Sequence, residues 1–240
     1  MTYVEGFIVA VPQENRETYR QHAADAAPLL HEFGVRRHVE AWDDDVKEGQ
    51  HTDFRRAVQA KESEKVVFSW FEYPDRAARD AANQKIMSDP RMEEIGKSMP
   101  FDGKRMVFGG FAPFVDVGSS GGTYVDGFVL PVPEAKREAY HAMANKAWED
   151  FSKHGALRLV EAWGDDVPDG EVTDFRRSVA AEPGEGVVFS WIEWPSRQAR
   201  DEAWPKIMGD PAMQPNGEMP FDGRRMFWGG FETILDERKG

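Results

Sequence analysis

The chain has 240 residues and a formal net charge of −13, from 43 acidic side chains against 30 lysines and arginines. A nucleic-acid surface needs a basic footprint, and an anionic membrane surface attracts polybasic segments, so the charge excludes both as general partners. There is no cysteine, which excludes disulfides, thiolate catalysis, iron–sulfur clusters and cysteine-ligated zinc.

Hydrophobic residues make up 40% of the chain, but 16 Phe and 8 Trp supply large buried areas. No stretch approaches the roughly 18 apolar residues of a membrane span. The segment Met1-Thr2-Tyr3-Val4-Glu5 has neither the basic region nor the apolar run of a signal peptide, and a cytoplasmic location is expected.

From the amino terminus, 3–11 is aromatic and β-branched and stops at Pro12, which predicts a strand. Over 14–33 Tyr19, Ala23, Ala26 or Ala27 and Leu30 recur at helical spacing, Gly34 provides a stop, and Pro28 predicts a kink or break. Strands are expected over 35–43 and 66–73, a helix over 75–88 ended by Asp89-Pro90, and a last strand over 105–115. The segment 52–60 reads equally as a short helix capped by Thr52 or as an extended edge.

The plan then repeats. Tyr3-Val4-Glu5-Gly6-Phe7 returns as Tyr124-Val125-Asp126-Gly127-Phe128, and Thr52-Asp53-Phe54-Arg55-Arg56 as Thr173-Asp174-Phe175-Arg176-Arg177. Met99-Pro100-Phe101-Asp102-Gly103 returns as Met219-Pro220-Phe221-Asp222-Gly223. A period of roughly 120 residues is a duplicated domain, not a solenoid repeat. The second copy predicts strands 124–132, 156–164, 187–194 and 224–234, with helices 134–154 and 196–209. The boundaries are a first repeat 1–117, a flexible Gly/Ser linker 118–122 and a second repeat 123–240.

The order β-α-β-β-α-β is the ferredoxin-like arrangement, an α+β fold with both helices on one face of an antiparallel sheet. Each sheet needs cover on its other face. Sheet-to-sheet packing of the two repeats into a single-chain, pseudo-dimeric α/β barrel is the economical solution, and it predicts a monomer in solution.

These segments, together with Val-Glu-Ala-Trp at 39–42 and 160–163 and Val-Val-Phe-Ser-Trp at 66–70 and 187–191, resemble the YbaA-like proteins, the domain of unknown function 1428. The resemblance spans nearly all of both copies and implies the dimeric α/β-barrel superfamily. It implies single-domain relatives that pair as homodimers where this chain is a fused pair. That superfamily includes cofactor-free monooxygenases, lactone isomerases and haem-using dismutases, with ligands held between sheet and helices. The resemblance carries over fold and not mechanism.

Strand alternation places Arg36, His38, Glu40 and Trp42 on one side, and Leu157, Leu159, Glu161 and Trp163 on the equivalent side. A carboxylate among apolar neighbours has a raised pKa suited to a general base, which makes Glu40 and Glu161 catalytic candidates. The alternative is an ion pair with Arg55 or Arg56, and Arg176 or Arg177. His38 is replaced by Leu159 in the second copy, so a His38–Glu40 acid/base pair requires that the first copy alone be active.

His22, His31, His51, His141 and His154 have no repeated counterparts, and neither metal nor cofactor is expected. Trp42, Trp163, Trp70 and Trp191 are candidates to line a pocket for an apolar or aromatic ligand, with Arg55 and Arg176 as its charged contacts; the alternative is plain core. Asp102 and Asp222 close a pocket mouth or satisfy a turn. Gly109-Gly110 and Gly229-Gly230 mark bulges or close backbone approach.

Three functions fit: a cofactor-independent small-molecule enzyme of oxygenase or isomerase type, a non-catalytic module binding an apolar or aromatic metabolite, or a protein-interaction or stress-associated accessory domain.

Overall fold

A computed structural model describes residues 2–210 and 218–239. The expected second repeat, 123–240, therefore includes residues 211–217 and 240 that lie outside the described set. Strands β1 (Tyr3–Pro12), β2 (Arg37–Val46), β3 (Glu64–Tyr73) and β4 (Val107–Gly118) belong to the first repeat. Strands β5 (Tyr124–Pro133), β6 (Arg158–Asp166), β7 (Glu185–Trp194) and β8 (Phe227–Arg238) belong to the second. The helices are α1 (Arg16–Phe33), α2 (Phe54–Ala57), α3 (Arg76–Ser88), α4 (Pro90–Gly96), α5 (Arg137–Lys153), α6 (Phe175–Ser178) and α7 (Arg197–Gly209).

Local chemistry explains most boundaries. Gly34, at φ 125°, ends α1 in a conformation that L side chains rarely adopt, and its amide donates to the Leu30 carbonyl. Pro28 does not break α1, which runs on to bury Ala26, Ala27, Leu30 and Phe33. Packing of that face outweighs the lost backbone hydrogen bond. The segment at 52–60 is the short helix α2, but its cap is Asp53, which accepts from the Arg56 amide. Thr52 instead donates across to the Arg225 carbonyl of the other repeat at 3.0 Å. Asp89-Pro90 ends α3 and also starts α4: Asp89 caps the Arg91 amide, with Pro90 in the first turn, where its missing N–H is harmless.

Among the described residues the strands form one closed barrel in the order β1-β3-β2-β8-β5-β7-β6-β4. Each repeat supplies a ferredoxin-like sheet. The sheets are hydrogen-bonded edge to edge as well as packed face to face, because β8 pairs with both β5 and β2, and β4 with both β1 and β6. Closure removes the free edges that would invite other chains.

Residues of β3 and β7 alternate between two environments. Val66, Phe68, Trp70 and Glu72 point into the barrel, as do Val187, Phe189, Trp191 and Glu193. The intervening side chains face the helices outside. On the pseudo-two-fold axis the Phe68 and Phe189 rings stack at 4.5 Å and 6°, and Trp70 meets Trp191 at 4.5 Å. Gly6 and Gly127 make room for this stack: a Cβ on either would press to within 2.9 Å of the Phe189 or Phe68 ring.

One end of the barrel is filled by Phe54 and Phe175 from the short helices α2 and α6. Beyond the Trp pair lies a crossed network of buried charges. Arg37 bonds Glu193 at 2.7 and 3.0 Å, and Arg158 bonds Glu72 at 2.7 Å, each arginine also gripping one aspartate, Asp236 or Asp116. Burial would raise Glu193, but the Arg37 guanidinium holds it below the usual carboxylate range. The Gly/Ser segment expected as a flexible linker is tied to this network, with the Gly121 amide donating to Glu193 at 2.9 Å.

Because both repeats share one core, Phe189→Ala should lower the unfolding free energy by about 3–5 kcal/mol. Fluorescence and circular dichroism should then report one coincident transition; two separable transitions would mean that the repeats fold as independent units.

Candidate active site

Two related sites lie outside the barrel, between its sheet and its helices. In the first repeat, β1, β3 and β2 run side by side, and their register lays the outward side chains in rows. Glu5, Phe71 and His38 form one row, Phe7, Ser69 and Glu40 the next, and Val9, Val67 and Trp42 the third. Strands about 4.8 Å apart put the Glu5 and His38 backbones roughly 10 Å from each other, with Phe71 between them. Helix α1 lays Tyr19 and His22 over this floor, α3 brings Asn83, and Met92 and Ile95 of α4 complete the wall. The enclosed space is about 460 Å³, within the range of small-molecule pockets.

Glu40 is the hub. It accepts from the Tyr19 hydroxyl at 2.7 Å, and His38 Nε2 sits 2.7 Å from its other oxygen. Burial, reinforced by Glu40, pushes the Tyr19 phenol well above its ordinary pKa, so Tyr19 remains a donor. His38 is 2% exposed and meets Phe71 edge-on at 4.7 Å. Its Nδ1 has no hydrogen-bond partner among the described residues. Nε2 is engaged by the Glu40 carboxyl, and Nδ1 is buried within the wall of the cavity that His38 lines.

At the other end of the row, Glu5 accepts from Asn83 at 2.8 Å and from Tyr73 at 3.2 Å, and burial pushes its pKa up. Burial also pushes His22 down, toward the neutral imidazole.

The second repeat keeps the hub and loses the rest. Glu161 accepts from Tyr140 at 2.7 Å and is bonded by Ser190. Leu159 stands where the first repeat has His38, Met143 where it has His22 and Trp204 where it has Asn83. Asp126, the counterpart of Glu5, is fully buried and sealed by Trp194, Trp204 and Arg200 at 2.8–2.9 Å. The cavity here is about 720 Å³. Burial pushes Glu161 up to about 7, against the opposing pull of its two hydroxyl donors.

Glu40 and Glu161 therefore stand on the floors of the two cavities, and their partners are tyrosine, serine and histidine, not the repeated arginines. Arg55 spends its guanidinium on the Glu64 and Lys61 carbonyls beside a separate polar depression, and Arg176 occupies the same place in α6. Trp70 and Trp191 belong to the barrel interior, on the opposite face of the sheet from either cavity, and their reading as ligand contacts is corrected. Trp42 and Trp163 lie on the outward face but are buried below the cavity walls, Trp42 against Tyr19 and Trp163 under the Arg137 guanidinium. Asp102 and Asp222 serve turns, each accepting the amide two residues on.

Helical spacing marks Tyr19 as core, and nothing in the local sequence singles out Tyr140, Glu5 or Asn83 as parts of a site. The signal was present in the repeat itself: Tyr19/Tyr140 and Glu5/Asp126 survive duplication. Gly110 owes its place to the same side of the fold, since a Cβ there would overlap Arg79 and the Tyr3 hydroxyl. Among the described residues no cluster of three His, Asp or Glu is placed to hold a metal, and no helix is long and apolar enough to cross a membrane.

The family model described as "Protein of unknown function (DUF1428)" matches residues 2–103 and again 123–223. The uncharacterized protein YbaA of Escherichia coli K12 is 62% identical over 116 residues, 48% of this chain and 99% of its own length; YbaA of Shigella flexneri matches equally. Among solved structures, a candidate monooxygenase of Fusobacterium nucleatum superposes with a TM-score of 0.61 at 11% identity, covering 100% of this chain and 95% of its own. One from Lactobacillus acidophilus gives 0.58 at 12%, covering 100% and 97%. An anthrone oxidase-like protein gives 0.56 at 8%, covering 100% and 93%. At these identities the likeness establishes the dimeric α/β-barrel fold alone.

The Glu161 environment has a stability signature. A carboxyl whose folded pKa is raised keeps its proton longer in the native state, so stability falls as pH rises from about 4.5 to about 7 and is level above. Relative to Glu161→Gln, the wild type should lose up to about 3 kcal/mol across that window. Denaturant unfolding of both proteins at pH 4.5 and pH 8 measures it; a constant difference would show that folding leaves the Glu161 pKa unshifted.

Proposed function

Because the chain belongs, in both halves, to the family described as "Protein of unknown function (DUF1428)", kinship supplies no reaction, and we propose from the site's chemistry that the first repeat is an acid/base enzyme acting on a flat, apolar substrate. The observation that carries this reading is His38: a buried imidazole held by Glu40 in the wall of a cavity, with its Nδ1 left without a hydrogen-bond partner among the described residues. A carboxylate that fixes one ring nitrogen sets the tautomer and stabilises the imidazolium formed when the other accepts a proton.

In this reading the substrate lies across Phe71 with its acidic C–H or O–H at His38 Nδ1. The proton moves to Nδ1, and Tyr19 and His38 together hold the negative charge of Glu40 in place. The resulting carbanion or phenolate has two outcomes. Returned to another carbon, the proton completes an isomerisation. With dioxygen as co-reactant, an activated CH₂ becomes C=O, one oxygen atom enters the product, and the other leaves as water with the two hydrogens. The fold shared with candidate monooxygenases and an anthrone oxidase-like protein supports the oxygen-consuming outcome.

The test uses anthrone and simple 1,3-diketones. Exchange of their acidic C–H in D₂O, followed by NMR, reads proton abstraction, and an oxygen electrode reads the second step. His38→Leu, which installs the second repeat's residue, should slow exchange by about 10²-fold or more. Glu40→Gln should slow it as well without unfolding the chain. Unchanged exchange in His38→Leu, or no exchange by the wild type with any of these carbon acids, would overturn the proposal.

A further inference from the structure

The second cavity is built from the same floor plan but for a different task. Both histidines of the first site and its asparagine, His38, His22 and Asn83, have been replaced by apolar side chains: Leu159, Met143 and Trp204. The remaining carboxylate of the row, Asp126, has been withdrawn from the wall and neutralised in place by Arg200 and two indoles. What faces the space of about 720 Å³ is apolar apart from Glu161, Ser190 and Tyr140 at the floor and Lys146, exposed on α5.

We infer that this cavity is a non-catalytic binding site for an uncharged, predominantly apolar molecule carrying a single hydrogen-bonding group, such as a hydroxyl or carbonyl, at its buried end. The end group meets the Glu161–Ser190 pair, which offers both donor and acceptor. Among the described residues no cation lies at the floor to balance a buried anion: Lys146 is exposed, and Arg200 faces Asp126, Asp45 and Asp201. A carboxylate or phosphate at the floor would sit beside Glu161 with its charge uncompensated, a costly arrangement. Burial keeps Glu161 protonated up to about 7, which extends its capacity as a donor toward neutral pH.

The site does not depend on the reaction proposed for the first repeat, and the two fail separately. N-phenyl-1-naphthylamine, uncharged and bright only when desolvated, is the probe, titrated at pH 6 into the full chain. Ala147→Trp, which fills the second cavity from α5, should weaken binding at least tenfold. Ala26→Trp, the equivalent filling of the first cavity, should leave the tightest site within twofold of wild type. Met143→Trp provides a second blocking variant if Ala147→Trp loses its near-UV circular dichroism. In competition, 1-decanol should displace the probe and decanoate at pH 8 should not. Binding unaffected by both blocking variants would overturn the assignment to this cavity, and displacement by decanoate as effective as by decanol would overturn the ligand class.

Discussion

The rest of the molecule hangs on a joint between the two repeats, in which Arg37 of one half is buried against Glu193 of the other and Arg158 against Glu72. Burying such charges is expensive, and each is tolerated only because it is matched with bidentate geometry and further donors. The indole N–H groups of Trp70 and Trp191 turn toward Glu72 and Glu193, and the Gly121 amide adds another bond. The crossed pairing satisfies all four groups only when both halves are present in one relative position. Stacked Phe68 and Phe189 fix the same axis by shape. Apolar packing contributes most of the stability; the charges specify the alignment.

That joint determines where the cavities lie. The barrel interior is filled by the Phe and Trp pairs and plugged by Phe54 of α2 and Phe175 of α6. The two cavities floored by Glu40 and Glu161 lie on the outward face of each sheet, under helices that lean on strands they do not fully cover. Because side chains alternate along a strand, Glu72 and Phe71 are neighbours in sequence with opposite duties, one locking the barrel and the other flooring a cavity. The site therefore stands on strands made rigid by the joint behind it, which suits a hydrogen-bond chain as short as Tyr19–Glu40–His38.

Much of this was legible in the sequence, and the reasons for the rest are physical. Strand alternation put His38 and Glu40 on one face with Trp42, and the missing histidine at Leu159 marked the asymmetry between copies. Alternation also shows that Trp70 lies opposite the intended cavity face, but it does not say which face the barrel encloses. That depends on how two sheets meet, which is why Trp70 and Trp191 read from sequence as pocket candidates but lie in the barrel interior. From sequence, the repeated arginines are the alternative partners of Glu40, through an ion pair with Arg55 or Arg56. The actual partner, Tyr19, reaches it from a helix 21 positions away, a contact that exists only after helix and sheet pack. Thr52 and Asp53 illustrate a finer limit: both are good helix caps, and the choice fell to the one whose neighbour was needed across the repeat boundary.

The duplication also explains how two different sites are able to exist at all. In a homodimer of single-repeat chains every substitution appears twice, so a histidine lost from one cavity is lost from both. Covalent fusion breaks that constraint while the joint preserves the symmetry that the barrel requires. The substitutions respect this division. Residues on the axis remain paired as Phe68/Phe189, Trp70/Trp191, Arg37/Arg158 and Glu72/Glu193, whereas His38/Leu159, His22/Met143 and Asn83/Trp204 have separated. On the outward faces such a change alters a cavity without disturbing the partner half, whereas the barrel core also differs between copies, as at Ile8/Val129 and Val107/Phe227. An inward change is felt by both repeats at once. The same geometry that made the sheet rigid has thus left its outer surface free to take on two roles.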